Sequence, residues 1–331
     1  MSEVPDSSLF VSWIHFHGRS EGLARALGIR EWASSGGVGA AWRRYIRLWG
    51  ETARLIEEVK PRSVIVMQPP IIALACVLWN CRRRRTRVAG DLHTGVFDDP
   101  KWTWATRLTL RLLRRRRLAI VTNQELAEIV TARGGAALVM HDLIEEYEDT
   151  SMQAFDDSRL EFLRGKRFVL VPVAYSYDEP LQALRDAAVL AGDVTWVFTG
   201  RAPEEFMSAA PSNMFFTGFA SRDDFMRLLS SANVVIAATT SENTMQRAGY
   251  EALCMARPLL TTDTRVLREY FGTAALQVRP DGVAFSEAVG TILEENELYA
   301  GRMVRLRAEK LSEQRVILGQ LRDWLDGKAI A

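Results

Sequence analysis

The chain has 331 residues, 48% hydrophobic and 25% charged, with a net charge of +1. This is the composition of a folded protein, it excludes a disordered chain, and the length suits two domains. Charge is unevenly spread: residues 1–141 hold 22 of the 42 Lys and Arg but 12 of the 41 Asp and Glu, so the first part is basic and the remainder acidic. Opposite signs suggest different tasks, the basic part facing something anionic or merely carrying solvated arginine faces.

Apolar, β-branched runs alternate with amphipathic stretches along the chain. In the first half strands are predicted at Leu9–Phe16, Ser63–Gln68, Arg87–His93, Leu118–Thr122 and Ala137–His141. Helices are predicted at Val38–Val59, Trp102–Arg116 and Gln124–Arg133, with a shorter one after the turn in SWIHFHGRSEGLARALG. The longest apolar run, Pro69 to Trp79, is too short to span a bilayer and reads as a buried helix. In the second half strands are predicted at Phe168–Val173, Thr195–Thr199, Met214–Thr217, Val234–Ala238, Leu259–Thr262 and Ala275–Val278. Helices fall at Pro180–Leu190, Arg222–Ser230, Met245–Met255, Ala284–Glu294 and from Tyr299 to about Leu325. The acidic stretch Glu145–Arg164 separates the two sets.

Such alternation predicts an α/β protein of two doubly wound, Rossmann-like domains, residues 1–149 and 150–331, facing across a cleft. The terminal helix is expected to pack back on the first domain. Ligands of such sheets sit beyond the carboxyl ends of the strands. Cys76, Cys81 and Cys254 show no metal-ligand or redox spacing, and fit a reducing cytoplasm. MSEVPDSS lacks a signal-peptide pattern.

The most informative segment is Val234–Asp263, VVIAATTSENTMQRAGYEALCMARPLLTTD. It reads as a buried strand, a polar loop, a helix, a proline break and a second strand. A helix start offers unpaired amides to an anion such as a diphosphate. Gly249 permits close approach of a ligand or a sheet, and Glu251 suits a ribose diol. Each part alone also fits a simple N-cap or a solvated glutamate.

This segment resembles the donor-binding segment of family 4 glycosyltransferases of the GT-B fold. These carry Glu, seven residues and a second Glu, then an alanine-rich helix and a proline. GYEALCMARPLLTTD matches the second half, with Glu251 as the second Glu. The first falls on Asn243, with Glu242 beside it. The resemblance implies that Glu251 grips the donor ribose. Asn243 or Glu242 would orient the sugar, and Thr244, Met245 and Gln246 would hold the diphosphate and sugar. The family's Arg and Lys after the first strand of the second domain are absent from VPVAYSYDEP. Arg201 and Arg247 are the nearest substitutes, or surface cations. Asp178 and Glu179 bond donor hydroxyls or start the helix at Pro180.

In the first half, Gly18 and Arg19 open a helix on the turn that the resemblance places near the donor phosphates. His15 and His17 alternate on the predicted strand, His15 reading as structural. Asp91 and His93 close another strand on one side and suit acid–base or sugar-binding work, or a cap and a packed ring. The family's retaining rule implies that His93 positions the donor sugar; in an inverting enzyme Asp91 or His93 would be the general base. Arginine clusters at Arg82–Arg87 and Arg114–Arg117 lie near aromatic, apolar side chains and suit an anionic membrane surface, or complement the dipole of a helix end. No nucleic-acid motif accompanies them.

The expected activity is transfer of a hexosyl group from a nucleoside-diphosphate sugar to a glycan or lipid-linked glycan, in bacterial cell-surface polysaccharide or glycolipid synthesis. No cofactor or metal is expected, since there is no Asp-x-Asp signature. The expected place is the cytoplasm or the inner membrane face. A non-catalytic nucleotide-sugar-binding protein and a nucleotide-sugar epimerase are the alternatives.

Overall fold

A computed structural model describes residues 8–15, 17–37, 39–145 and 147–328. Phe16 and Val38, where a strand was expected to end and a helix to begin, lie outside them. The chain divides into two compact units after Leu143 and again after Ser312, and the stretch from Glu313 rejoins the first unit. This replaces the expected boundary at residue 149. Ile144 is already buried in the second core with Phe155 and Leu160, and Tyr147 packs against it.

The first unit is a six-stranded parallel sheet of β1 (Ser8–Ser12), β2 (Arg30–Ala33), β3 (Ser63–Gln68), β4 (Arg87–Leu92), β5 (Leu118–Val121) and β6 (Ala136–Val139). The strand order is β2-β1-β3-β4-β5-β6. Its helices are α1 (Gly18–Leu27), α2 (Ala41–Val59), α3 (Ile71–Cys81), α4 (Thr103–Leu112) and α5 (Gln124–Thr131). The strands β1 and β3 are buried throughout, as continuous apolar runs in a doubly covered sheet require. One sheet face packs on α2 to α5 through residues such as Leu48, Ile56, Leu74, Val77 and Leu126. The other packs on α1 and on the chain's end through Leu23, Leu27, Leu318, Leu321 and Trp324. Each fully buried side chain of this kind stabilises the fold by roughly 1.5–3 kcal/mol.

The second unit holds β7 (Phe168–Pro172), β8 (Thr195–Thr199), β9 (Met214–Gly218), β10 (Val234–Ala237), β11 (Leu259–Thr262) and β12 (Ala275–Val278). They form a second parallel sheet, ordered β12-β11-β10-β7-β8-β9. The helices are α6 (Leu181–Leu190), α7 (Glu204–Ser208), α8 (Arg222–Ser231), α9 (Arg247–Cys254), α10 (Arg265–Phe271), α11 (Gly282–Glu294) and the part of α12 (Asn296–Leu325) up to Ser312. Helices α8, α9 and α10 cover one face, and α6 and α11 the other. Winding runs outward from β7 to β9, then restarts at β10 on β7's other side. The loops after β7 and β10 therefore part at a topological switch point, which opens a crevice for a ligand.

Part of the basic charge is structural. Arg87 donates to the carbonyls of Trp324, Gly327 and Lys328 at 2.7, 2.5 and 2.9 Å, capping the end of α12. All three cysteines are free and buried, and burial pushes Cys76 and Cys254 up to about 12. These thiols are inert packing groups.

Candidate functional site

In the second unit the loops at the switch point are laced together by one carboxylate. Asp178, after β7, accepts the Thr239 hydroxyl at 2.7 Å, the Gln246 amide at 3.3 Å and the Ser176 hydroxyl at 2.5 Å. Its backbone carbonyl accepts the Thr240 amide at 2.7 Å and the Thr240 hydroxyl at 3.0 Å. Beneath them the Thr262 hydroxyl, at the end of β11, donates to the Thr239 carbonyl at 2.6 Å and accepts the Thr239 amide at 3.0 Å. Asp178 thus braces the loops rather than starting a helix. Glu179 turns back on its own loop and accepts the amides of Ala174 and Ser176. Burial raises its pKa, against the pull of those amides.

Gln246 has extended backbone, φ −70° and ψ 129°, and caps α9, which begins two residues later than expected. Thr244, Met245 and Gln246 are therefore loop residues, and Met245 packs its side chain on the core. Glu242 accepts the Arg265 amide at 3.1 Å, satisfying the first turn of α10. Asn243 lies half-buried next to it. On α9 the Arg247 Nε donates to Glu251 at 2.8 Å, one turn apart; the arginine side chain is 62% exposed and the glutamate 23%. Gly249 does not open the helix to a ligand. A Cβ there would stand 2.9 Å from Phe271 Cζ, so the missing side chain serves α9's packing on α10. Arg201 is exposed. It follows Gly200, whose φ of 86° and 2.2 Å clash between any Cβ and the Val173 carbonyl restrict that turn to glycine.

The first unit gathers a second polar cluster beyond β1 and β4. Arg19 on α1 is buried, not free for a phosphate as expected. Its Nε and Nη2 donate to Asp91 at 3.0–3.3 Å, Nη2 to the Met140 carbonyl at 2.8 Å, and Nη1 to Asp142 at 2.9 Å. Asp91 is fully buried. Burial alone would raise its pKa, but Arg19 and His93 beside it hold the carboxyl well below the usual range. Asp91 is thus enclosed and does not suit the expected role of a general base on substrate. It accepts or shares a proton with His93 Nε2 at 3.2 Å, fixing that ring. Gly18 is the first residue of α1, and His17 caps it with extended backbone. β1 ends at Ser12, so the expected alternation of His15 and His17 along a strand does not hold, and His15 is exposed.

The His17 ring meets the His93 ring edge-on, centroids 4.5 Å apart. Burial, then the neighbouring His93, lowers the His17 pKa from 6.5 to about 4. The unfolded chain therefore binds an extra proton between those values, and stability falls as pH drops through that window. The expected loss is about 1–2 kcal/mol, allowing for the ring's partial exposure. Denaturant titrations at neutral and mildly acid pH check this: His17→Gln should flatten the slope, and an unchanged slope assigns the loss elsewhere.

Residues 175–295 match the model of the family Glycosyl transferases group 1. HepE of Anabaena, solved with UDP and glucose, superposes with a TM-score of 0.71 at 15% identity, over 98% of this chain and 100% of its own. The chain has the GT-B glycosyltransferase fold. Sucrose-phosphate synthase of Thermosynechococcus elongatus gives 0.70 at 12% identity, over 95% of this chain and 97% of its own. The UDP-GlcNAc 2-epimerase of Neisseria meningitidis, bound to UDP-GlcNAc, gives 0.57 at 12%, over 93% and 99%. Identities this low carry the fold alone. Comparison with curated proteins returns no match. The matched stretch begins after β7 and takes in β8 to β12 of the second unit's sheet.

Two parts of these clusters escaped the sequence reading. Asp142 follows β6 in a stretch read only as a boundary, and an acid just past a strand end was its signal. Thr262 ends β11 in the run TTD, and a hydroxyl at a strand's carboxyl end beside a polar loop was the signal there.

Proposed function

We propose that the chain transfers a hexosyl group from a nucleoside-diphosphate sugar to a glycan or lipid-linked glycan, with retention, in bacterial cell-surface polysaccharide or glycolipid synthesis. The observation that carries this reading is the braced loop of residues 239–246, running into α9 and Glu251 inside the glycosyltransferase group 1 match. Glu251 accepts the ribose hydroxyls. The start of α9 and Arg247 take the diphosphate charge, without a metal. Asn243 orients the sugar, because Glu242 is engaged with α10. The likeness to HepE, which was solved with UDP-glucose, supports a nucleotide-sugar donor.

His93, fixed by Asp91, touches the sugar during transfer. Enclosure of Asp91 supports retention, since that carboxylate is not placed to take an acceptor proton. Transfer takes place at the inner face of the membrane, where a lipid-linked acceptor would be presented.

A thermal-shift screen of nucleoside diphosphates and their sugars, followed by transfer assays on glycan and lipid-linked acceptors with and without chelator, tests the reading. Binding followed by transfer is the expected result. The epimerases of this fold favour one second reading, in which the donor is isomerised without acceptor. Donor binding without any turnover would instead indicate a binding protein. Within the transferase, His93→Ala should slow transfer about 100-fold while donor affinity holds, because the lost contact is one of positioning. Intact turnover in that variant would make His93 structural.

A further inference from the structure

The outer surface of the α2–α3–α4 layer presents large apolar side chains that stand exposed among the described residues. Trp42 and Ile46 on α2 are 60% and 66% exposed, Trp79 on α3 58%, and Trp104 and Leu108 on α4 71% and 49%. They lie at helical spacing. Trp42 and Ile46 are one turn apart, as are Trp104 and Leu108, and Ile72, Ala75 and Trp79 run along α3. Helix α3 lies between the other two. Between α2 and α3 an open groove of about 450 Å³ is lined by Tyr45, Ile46, Trp49, Gly50 and Ile72, a set without a charge.

Arginine alternates with these side chains. Arg43 stacks on Trp42 at 5.1 Å and Arg82 on Trp79 at 4.0 Å. Beyond α4 a recess of about 620 Å³ is lined by Arg111, Arg114, Arg115, Arg116 and Arg117 alone. Among the described residues no carboxylate pairs with Arg111, Arg114, Arg115 or Arg116. The paired arginine of this region is Arg84, held by Glu57. Five guanidinium groups share this recess, and burial, with Arg115 nearby, lowers the Arg117 pKa. An anion in the recess would balance their charge.

Exposed indoles rimmed by unpaired arginines are the chemistry of a membrane interface. The indoles sit at the headgroup level, and the guanidinium groups meet lipid phosphates. No described helix is long and apolar enough to cross a bilayer. We infer that the α2–α3–α4 face docks on an anionic phospholipid bilayer, with Trp42, Trp79 and Trp104 in the interface and the Arg111–Arg117 recess on lipid phosphate. This extends the lipid-linked acceptor of the proposed function. It is read without donor or acceptor, so either can fail while the other stands.

Co-sedimentation of the full chain with phosphatidylcholine vesicles, with and without about one third phosphatidylglycerol, tests it. Binding is expected to require the anionic lipid and to weaken steeply as salt rises from about 0.1 M to 0.5 M. Trp104→Ser with Leu108→Ser should lower the partition coefficient at least roughly 10-fold. Arg111→Gln, Arg114→Gln and Arg116→Gln together should lower it roughly 100-fold. All are surface positions, and a folded circular dichroism spectrum with unchanged melting keeps the comparison valid. Arg302→Gln, on α12 in the second unit, should bind as the parent does. Equal binding to neutral vesicles, or parent-like binding by both surface variants, overturns the inference. So does retention on RNA without vesicle binding, or a dimer dissolved by the Trp104 and Leu108 changes without vesicle binding.

Discussion

Asp91→Ala is expected to cost the first unit about 3–5 kcal/mol, the range for removing one partner of a buried ion pair. The reason lies in what stays behind. Arg19 would remain buried on α1 with three of its bonds to Asp91 gone, keeping Asp142 and the Met140 carbonyl. Its charge is not shed, because a guanidinium stays protonated in proteins and Asp142 remains beside it. Replacing both partners with apolar residues of similar size, Arg19→Met with Asp91→Leu, should cost less than the two single changes added together. The shortfall measures the coupling, and groups in direct contact commonly show 0.5–3 kcal/mol of it, roughly. Denaturant unfolding followed by a probe in the first unit gives the four free energies. A cost under about 1 kcal/mol for Asp91→Ala would mean that water reaches Arg19 and that the network is not closed.

The same network decides what His93 can do. A histidine held by a buried carboxylate keeps one ring nitrogen committed and leaves the other for a ligand. Asp91→Asn should therefore disturb the His93 ring, read as a shift in its imidazole NMR signals, before it disturbs any bound sugar. Asp91 is a positioning residue in this arrangement, and the sequence reading had no means of telling it from a catalytic one. Two acids or bases spaced two apart at a strand end share a side, which was legible. That an arginine from α1 closes over the carboxylate was not, because the partner lies 72 positions earlier in the chain.

The strands were the most legible part of the fold. Ser63–Gln68, Thr195–Thr199, Leu259–Thr262 and Ala275–Val278 form where their apolar, β-branched runs predicted. The edge strand β2 was missed because REWA, half-exposed, carries no apolar run to read. The short α10 was missed because its start is set by Glu242 from a distant loop as well as by its own Thr264 cap. Local pattern does not encode such a tertiary cap. Gly249 shows an alternative that local pattern leaves open. A glycine on a helix start admits either a ligand or a packed neighbour, and Phe271, 22 positions on, with Ala237 of β10 takes the space. In the second unit, Glu251 and the loop before it were found as one ordered segment. The carboxylate that braces this loop, Asp178, was read in the sequence as a donor-hydroxyl ligand or a helix-starting acid, because its partners Thr239 and Gln246 lie more than 60 positions on.

Glu251→Ala should weaken binding of the best nucleoside diphosphate in the thermal-shift screen by roughly 10- to 100-fold, the value of one charge-assisted hydrogen bond, while leaving stability within about 0.5 kcal/mol. The two halves of this expectation rest on different facts. Stability is largely spared because the Arg247–Glu251 pair is partly exposed, the arginine at 62% and the glutamate at 23%, and helix pairs one turn apart contribute little. Binding is lost because a neutral methyl cannot accept the ribose hydroxyls. Glu251→Gln, which keeps one acceptor oxygen, should fall between. Asp178→Ala must behave otherwise. That change removes the acceptor of Thr239, Gln246 and Ser176 at once, so the loops after β7 and β10 lose their common brace. Its loss should lower melting temperature and donor affinity together. Measured side by side by calorimetric titration and thermal melting, the two variants separate a residue that touches the donor from one that shapes its loop. Unchanged affinity in Glu251→Ala would place the ribose elsewhere, whatever Asp178→Ala does. Loss of affinity in Asp178→Ala at constant melting temperature would move Asp178 from brace to contact.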